Sequence, residues 1–261
     1  MKKILIVGGG FAGLWAALAA KREIEEVGEG NGTSVSLVSR DGYLTVRPRL
    51  YERNPETLRT PLRPVLDPVG VELVEATVTA IDAERHMVSA TAASGGQIAL
   101  GYDRLVLATG SALHAPPIPG IAEHTWNIDT YDAALAFDRH LRTVTANPGT
   151  PGNDTFVIIG GGFTGIELAT EMRCRIAVHA GEEVAAAARV ILVDRSDVIG
   201  RNLGDNPRPF IEEALRSAGV ETRTGASVAR ITSDSVVLGD GERIGAASVV
   251  VTAGLRASTL A

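Results

Sequence analysis

The residues best placed to do chemistry in this chain are glycines. Gly8-Gly9-Gly10-Phe11-Ala12-Gly13 and Gly160-Gly161-Gly162-Phe163-Thr164-Gly165 both read G-x-G-x-x-G, 152 positions apart. In such a run the first glycine permits a tight turn, the second lets backbone approach a diphosphate, and the third lets a helix pack closely on a strand. The unpaired N–H groups and positive dipole end of the following helix then face the phosphates. One run alone could be a turn that binds nothing. Two in register, each between an apolar strand and a helix-forming segment, predict two nucleotide-binding units.

Three side chains refine this. An acidic residue at the end of the second strand of such a unit grips ribose hydroxyls. Asp194 takes that place in the second unit; its charge would repel a 2′-phosphate, which predicts NADH rather than NADPH, although Arg195 is adjacent and a plain turn residue is the alternative. In the first unit the place falls to Ser39, followed by Arg40. A hydroxyl bonds a ribose without the charge that strengthens the contact, so affinity there should be weaker unless Asp41 substitutes. Glu167 aligns with Trp15 of the first unit, and a carboxylate so placed can complement a helix N-terminus.

The elements that must position these residues follow from the pattern. Strands are expected at 3–7, 35–38, 71–74, 77–82, 87–92 and 105–108, with a helix over 11–27 and a turn at 28–32. The five prolines between Tyr43 and Pro68 predict a loop with at most a short helical piece. Thr130 should cap a helix of about 15 residues, and Pro116-Pro117-Ile118-Pro119-Gly120 reads as a linker. The second unit repeats the scheme: strands at 156–159 and 190–193, a helix from about 163, a helix from Asn206-Pro207 to Gly219, then strands at 221–223, 228–231, 236–238 and 248–251. The last two are expected to flank the Asp240-Gly241 turn. The fold class is therefore α/β: two Rossmann-like parallel-sheet units with an inserted antiparallel meander. The expected domains are 1–120 and 121–261.

The chain has 261 residues, 45% hydrophobic and 21% charged, with a net charge of −6. That balance suits a globular protein and leaves no basic footprint for nucleic acid. The longest apolar runs fall well short of a membrane span, so the expected location is cytoplasmic, with peripheral membrane attachment open. Cys174 is the single cysteine, which removes a dithiol relay between cysteines of this sequence. His86, His114, His124, His140 and His179 show no metal-ligand spacing, and no HExxH, G-x-S-x-G or P-loop lysine is present.

The segment Phe156 to Glu171 resembles the NADH-binding stretch of the two-dinucleotide-fold flavoproteins, specifically the type II NADH dehydrogenases. Tyr102-Asp-Arg-Leu-Val-Leu-Ala-Thr-Gly-Ser111, Arg47-Pro48-Arg-Leu-Tyr51-Glu52 and Val250-Val-Thr-Ala-Gly254-Leu-Arg-Ala257 are similar to other parts of that family. The resemblance implies FAD over Gly8 to Gly13 and a nicotinamide cofactor at the second turn. It implies that backbone near Val78 borders the adenine, that Ala108-Thr109-Gly110 approaches the FAD from the far side, and that Pro48 sits near the isoalloxazine. Glu167 would hold the nicotinamide or help move a proton where it meets the flavin, with Glu171 as the alternative carboxylate.

The implied activity is NADH oxidation with electrons passed through FAD to a quinone. The family continues past the nicotinamide domain with a segment closing the FAD domain, bearing an Ala-x-Gly-Asp, and a C-terminal domain forming acceptor, dimer or membrane contacts. This sequence stops at Ala261, before both, which leads us to expect a fragment or a minimal protein with an incomplete flavin pocket. Leu203-Gly-Asp205 and Leu238-Gly-Asp240 are decoys for the missing motif. Two other functions fit the same residues: a ferredoxin-reductase-like enzyme docking an iron–sulfur protein on Arg47, Arg49, Arg53, Arg59 and Arg63, or a nucleotide sensor without turnover.

Overall fold

A computed structural model describes residues 2–28 and 32–260, and the expected turn at 28–32 falls largely outside them. The chain divides into two compact units: one from residues up to Thr45, Arg59–Ala112 and the residues after Leu255, the other from Val46–Leu58 and Leu113–Leu255.

The first unit begins with β1 (Lys2–Val7), α1 (Phe11–Glu26) and β2 (Thr33–Ser39). Two short strands, β3 (Tyr43–Thr45) and β4 (Arg59–Pro61), pair antiparallel, and α2 (Arg63–Leu66) follows. The proline-rich stretch expected to be a loop thus contains a strand pair. Pro61 occupies the last position of its two-stranded sheet, where a missing N–H costs little. Then come β5 (Glu72–Asp82), β6 (Met87–Ala92), β7 (Gln97–Gly101) and β8 (Arg104–Leu107). Their order in one six-stranded sheet is β7-β6-β5-β2-β1-β8. The strands expected at 71–74 and 77–82 are one strand: its first part pairs parallel with β2 and the rest antiparallel with β6, with an irregularity between Val78 and Ala80. Ile6 and Leu37 face one hydrophobic cluster and Leu5 and Val38 the other, as the two-residue strand period dictates for a sheet covered on both sides.

The short strand β9 (Ser111–Leu113) leads into the second unit, which contains α3 (Ile121–His124), α4 (Tyr131–Thr145), β10 (Thr155–Ile159), α5 (Phe163–Ala187), β11 (Arg189–Val193), α6 (Arg208–Ser217) and β12 (Val220–Arg223). Thr130 caps α4 as expected, its hydroxyl accepting from the Ala133 N–H at 3.2 Å. Next are β13 (Val228–Ile231), β14 (Ser235–Leu238), β15 (Arg243–Gly245) and β16 (Ser248–Val251). The main sheet is parallel, in the order β12-β11-β10-β16. The Asp240-Gly241 turn joins β14 to β15, while β16 pairs with β10. Ser248-Val-Val-Val251 is wholly buried, so burial on both faces sends it to the parallel sheet rather than to a hairpin. Along β10, Phe156 and Ile158 face a cluster with α4 and α5, while Val157 and Ile159 face one with β13 to β15.

Residues 46–58 join the second unit's core through Leu50 and Leu58. Leu50 is 1% exposed, so Leu50→Ala should lower unfolding free energy by about 2–5 kcal/mol through lost burial and a residual cavity. Urea unfolding followed by tryptophan fluorescence tests this; an unchanged midpoint contradicts the placement.

Candidate functional site

Each glycine turn is shaped by steric demands that the chain itself imposes. Gly8 and Gly160 have φ of 120° and 115°, a region L side chains rarely adopt. A Cβ on Gly13 would stand 1.8 Å from the Gly8 carbonyl oxygen, and one on Gly165 would stand 1.8 Å from that of Gly160. Helix and turn therefore touch backbone to backbone. Each turn is also tied to its sheet: the Gly8 N–H donates to the Val38 carbonyl at 2.8 Å and the Gly160 N–H to that of Val193 at 2.9 Å.

The middle glycines differ. Gly10 and Gly162 have φ near −80° and extended ψ, which any residue adopts, and a Cβ on either would meet nothing within 4 Å. Nothing among the described residues demands glycine there. A group approaching from outside would. Both helices start without a side-chain cap and without an acidic residue in the first turn, leaving their N–H groups and dipole free for an anion. A diphosphate fits both turns on these grounds.

The surroundings of the two turns correspond closely. In the first unit, a Cβ on Gly8 would meet the Ala108 carbonyl oxygen at 2.2 Å and the Thr109 nitrogen at 3.2 Å; one on Gly9 would meet the Ser39 Oγ at 2.2 Å. Ser39 and Ala108 thus lie against the turn. Arg40 is exposed, and Val78 sits at the irregularity of β5. Asp41 pairs with Arg59 at 2.7 Å and accepts from the Tyr43 N–H at 3.1 Å, so its carboxylate is engaged elsewhere. The Gly110 carbonyl accepts from the Ser258 N–H at 3.3 Å.

In the second unit Asp194 accepts from the Gly161 N–H through Oδ2 and from the Ser196 N–H at 2.7 Å through Oδ1. It buttresses the turn from the position directly after β11. Thr252, which sequence reasoning missed, has its hydroxyl donating to the Ile159 and Gly160 carbonyls at 3.1 Å each. A signal for it existed, since Val250-Val-Thr252-Ala-Gly254 repeats the spacing of Val106-Leu-Ala108-Thr-Gly110. The Gly254 carbonyl accepts from the His114 N–H at 2.8 Å.

Glu167 is the fifth residue of α5, beyond the first turn, so the helix dipole alone does not account for it. It is half-buried, whereas Trp15, its counterpart on α1, is exposed. Burial, reinforced by the nearby Glu52 carboxylate, pushes the Glu167 pKa up. Glu52 is gripped by Arg49, with Nη2 2.6 Å from Oε2. Burial and the Glu167 charge raise the Tyr51 pKa. Pro48 lies in the same segment, in a short 3-10 helix over Arg47–Arg49. The structure thus gathers Pro48, Tyr51, Glu52 and Glu167 in one unit. The arginines that could have formed a docking patch are each paired: Arg47 with Asp129, Arg49 with Glu52, Arg53 with Glu171, Arg59 with Asp41 and Arg63 with Glu75. Among the described residues no helix is long and apolar enough to cross a membrane.

Residues 2–261 match the family described as pyridine nucleotide-disulphide oxidoreductase. An NADH dehydrogenase-like protein of Mycobacterium tuberculosis is 44% identical over 262 residues, covering 100% of this chain and 64% of that protein. A type II NADH:quinone oxidoreductase of Staphylococcus epidermidis is 25% identical over 274 residues, covering 99% and 66% respectively. NDH2 of Plasmodium falciparum, solved in complex with NADH, shares the fold with a TM-score of 0.83 at 16% identity, covering 99% of this chain and 56% of that one. The chain spans just under two thirds of the length of these curated relatives.

Two substitutions separate folding from binding at the second turn. Gly165→Ala should cost about 3 kcal/mol or more through overpacking against backbone. Gly162→Ala should cost no more than about 1 kcal/mol, the scale of a helix-cap change, yet weaken dinucleotide binding at least tenfold, roughly 1.4 kcal/mol. Thermal unfolding and NADH titration read both; an unchanged NADH affinity in Gly162→Ala contradicts the assignment.

Proposed function

Because the chain belongs to the pyridine nucleotide-disulphide oxidoreductase family, we propose that it forms the two-nucleotide part of a flavoprotein that oxidises NADH and reduces a quinone. The observation carrying this reading is the pair of middle glycines, Gly10 and Gly162, open on the outside and demanded by nothing within. FAD at the first turn would supply the redox chemistry, taking hydride from the nicotinamide and releasing electrons to the acceptor. The protein's share is binding, orientation and control of charge.

On this reading Gly8, Gly10, Phe11, Ala12 and Gly13 hold the FAD diphosphate through backbone N–H groups, with Ser39 and Arg40 toward its ribose, Val78 toward its adenine and Ala108, Thr109 and Gly110 on its far side. Gly160, Gly162, Phe163, Thr164 and Gly165 do the same for NADH, with Asp194 on the adenine ribose and Gly254 closing the turn's surroundings. Pro48 supports the flavin ring. Glu167, whose pKa burial and the Glu52 charge raise, would hold the nicotinamide amide by a hydrogen bond or help move a proton beside it. A quinone acceptor is supported by the names of the relatives, and membrane attachment or dimerisation through other regions of the protein would accompany it. The paired state of all five arginines weighs against docking an acidic iron–sulfur protein there.

The purified protein should show flavin absorbance that NADH bleaches anaerobically and a quinone analogue restores; a protein with no flavin spectrum and no NADH-dependent quinone or dye reduction overturns the proposal. Asp194→Asn, which keeps an acceptor oxygen for the Gly161 N–H, should reduce the kcat/KM preference for NADH over NADPH about tenfold or more, the scale of a charged hydrogen bond. An unchanged preference removes Asp194 from the ribose. Glu52→Gln removes a neighbouring negative charge, so the Glu167 pKa should fall and any limb it gives the pH–rate profile should move to lower pH. An unmoved profile, with Glu167→Gln shown to abolish that limb, contradicts the coupling.

A further inference from the structure

The side chain of Arg175 is completely buried in the second unit, two helical turns past Glu167 on α5. Its Nη1 donates to the main-chain carbonyl of Tyr51 at 3.4 Å. Its Nη2 lies 3.6 Å from Asp138 Oδ1 on α4, and its guanidinium stands 5.1 Å from the Phe137 ring centroid. Asp138 Oδ1 is also 3.0 Å from His179 Nε2. Among the described residues Arg175 Nε and Nη2 have no partner within hydrogen-bond distance, so the cation is held largely by the Asp138 charge, the Tyr51 carbonyl and the ring contact. Burial lowers its pKa against the opposing pull of Asp138. Leaving a cation so little compensated is costly, and well-packed apolar residues would stabilise the helix pair at least as well. What an apolar residue could not do is grip a backbone carbonyl of the segment carrying Pro48, Tyr51 and Glu52.

We propose that Arg175 is a positioning residue: it pins residues 46–58 to α4 and α5, fixing Pro48, Tyr51 and Glu52 relative to Glu167. Arg47 on Asp129 and Arg53 on Glu171 hold the same segment from either side of the anchor. The catalytic consequence rests on the function proposed above, because only then do Pro48 and Glu167 serve the reacting cofactors. The anchoring itself does not depend on it.

The test compares the unsubstituted flavin-loaded protein with Arg175→Met, Arg175→Lys and Asp138→Asn. Anaerobic stopped-flow at saturating NADH gives the limiting rate of flavin reduction per bound flavin, and its concentration dependence gives NADH affinity. Amide hydrogen exchange over residues 46–58 gives the anchoring independently of activity. Arg175→Met should slow flavin reduction by about tenfold or more, as misplacement of reacting groups does, with NADH affinity within about twofold. Exchange across 46–58 should rise while α6 and β12 stay unchanged. Arg175→Lys, still able to donate to the Tyr51 carbonyl, should recover much of both. Asp138→Asn should reproduce the pattern more mildly, and decides the matter should Arg175→Met not fold. Unchanged exchange in the folded variants overturns the anchor. Raised exchange with an unchanged reduction rate overturns the positioning role. No NADH-dependent flavin reduction in the unsubstituted protein overturns the proposed function instead, leaving exchange to decide the anchor.

Discussion

The contact on which the rest depends is between two backbones. At the start of α1 and again at the start of α5, the third glycine lies so close to the carbonyl of the first that a Cβ would stand 1.8 Å from oxygen. Contact at that range fixes helix axis, turn and strand end as one body. It holds the helix N-terminus at the end of the strand with no side-chain cap on its first N–H groups. The twofold occurrence of one geometry in one chain, at equivalent residues, makes it a repeated device rather than a local accident.

From that contact the electrostatics follow. Neither helix start has a side-chain cap or an acidic residue in its first turn, so neither helix neutralises its own positive dipole end. The two units differ just beyond. Ser39 lies under the first turn as a small neutral group, whereas Asp194 puts a carboxylate under the second and accepts two backbone N–H groups. The same contrast appears on the helices, where Trp15 faces solvent and Glu167 is half-buried near Glu52. The repeat supplies the turn, and the substitutions within it set the charge and burial beside each one.

Much of this was legible in the sequence because its determinants are local. Continuous Ile, Leu and Val runs marked the buried parallel strands, glycine spacing marked the turns, and Thr130 marked a helix start. What was missed depended on long-range pairing. Nothing near Val78 announces that β5 serves a parallel sheet and an antiparallel one in succession, and Asp240-Gly241 gives no sign that its partner strand is Arg243–Gly245. Residues 43–68 read as proline-rich loop, yet Leu50 and Leu58 reach a core built mainly from residues more than 70 positions away. Thr252 was the avoidable omission, since the internal repeat already pointed to it. The partners of Arg53 and Arg175 could be found only once segment 46–58 was seen against α4 and α5.

The central claim is that one chain builds two separate dinucleotide cradles, and the most direct measurement is binding stoichiometry. Equilibrium titration of the purified protein, with bound flavin quantified after denaturation and NADH added anaerobically, should give one FAD and one nicotinamide nucleotide held together per chain. A single dinucleotide per chain, or FAD and NADH displacing one another from one site, would contradict the account.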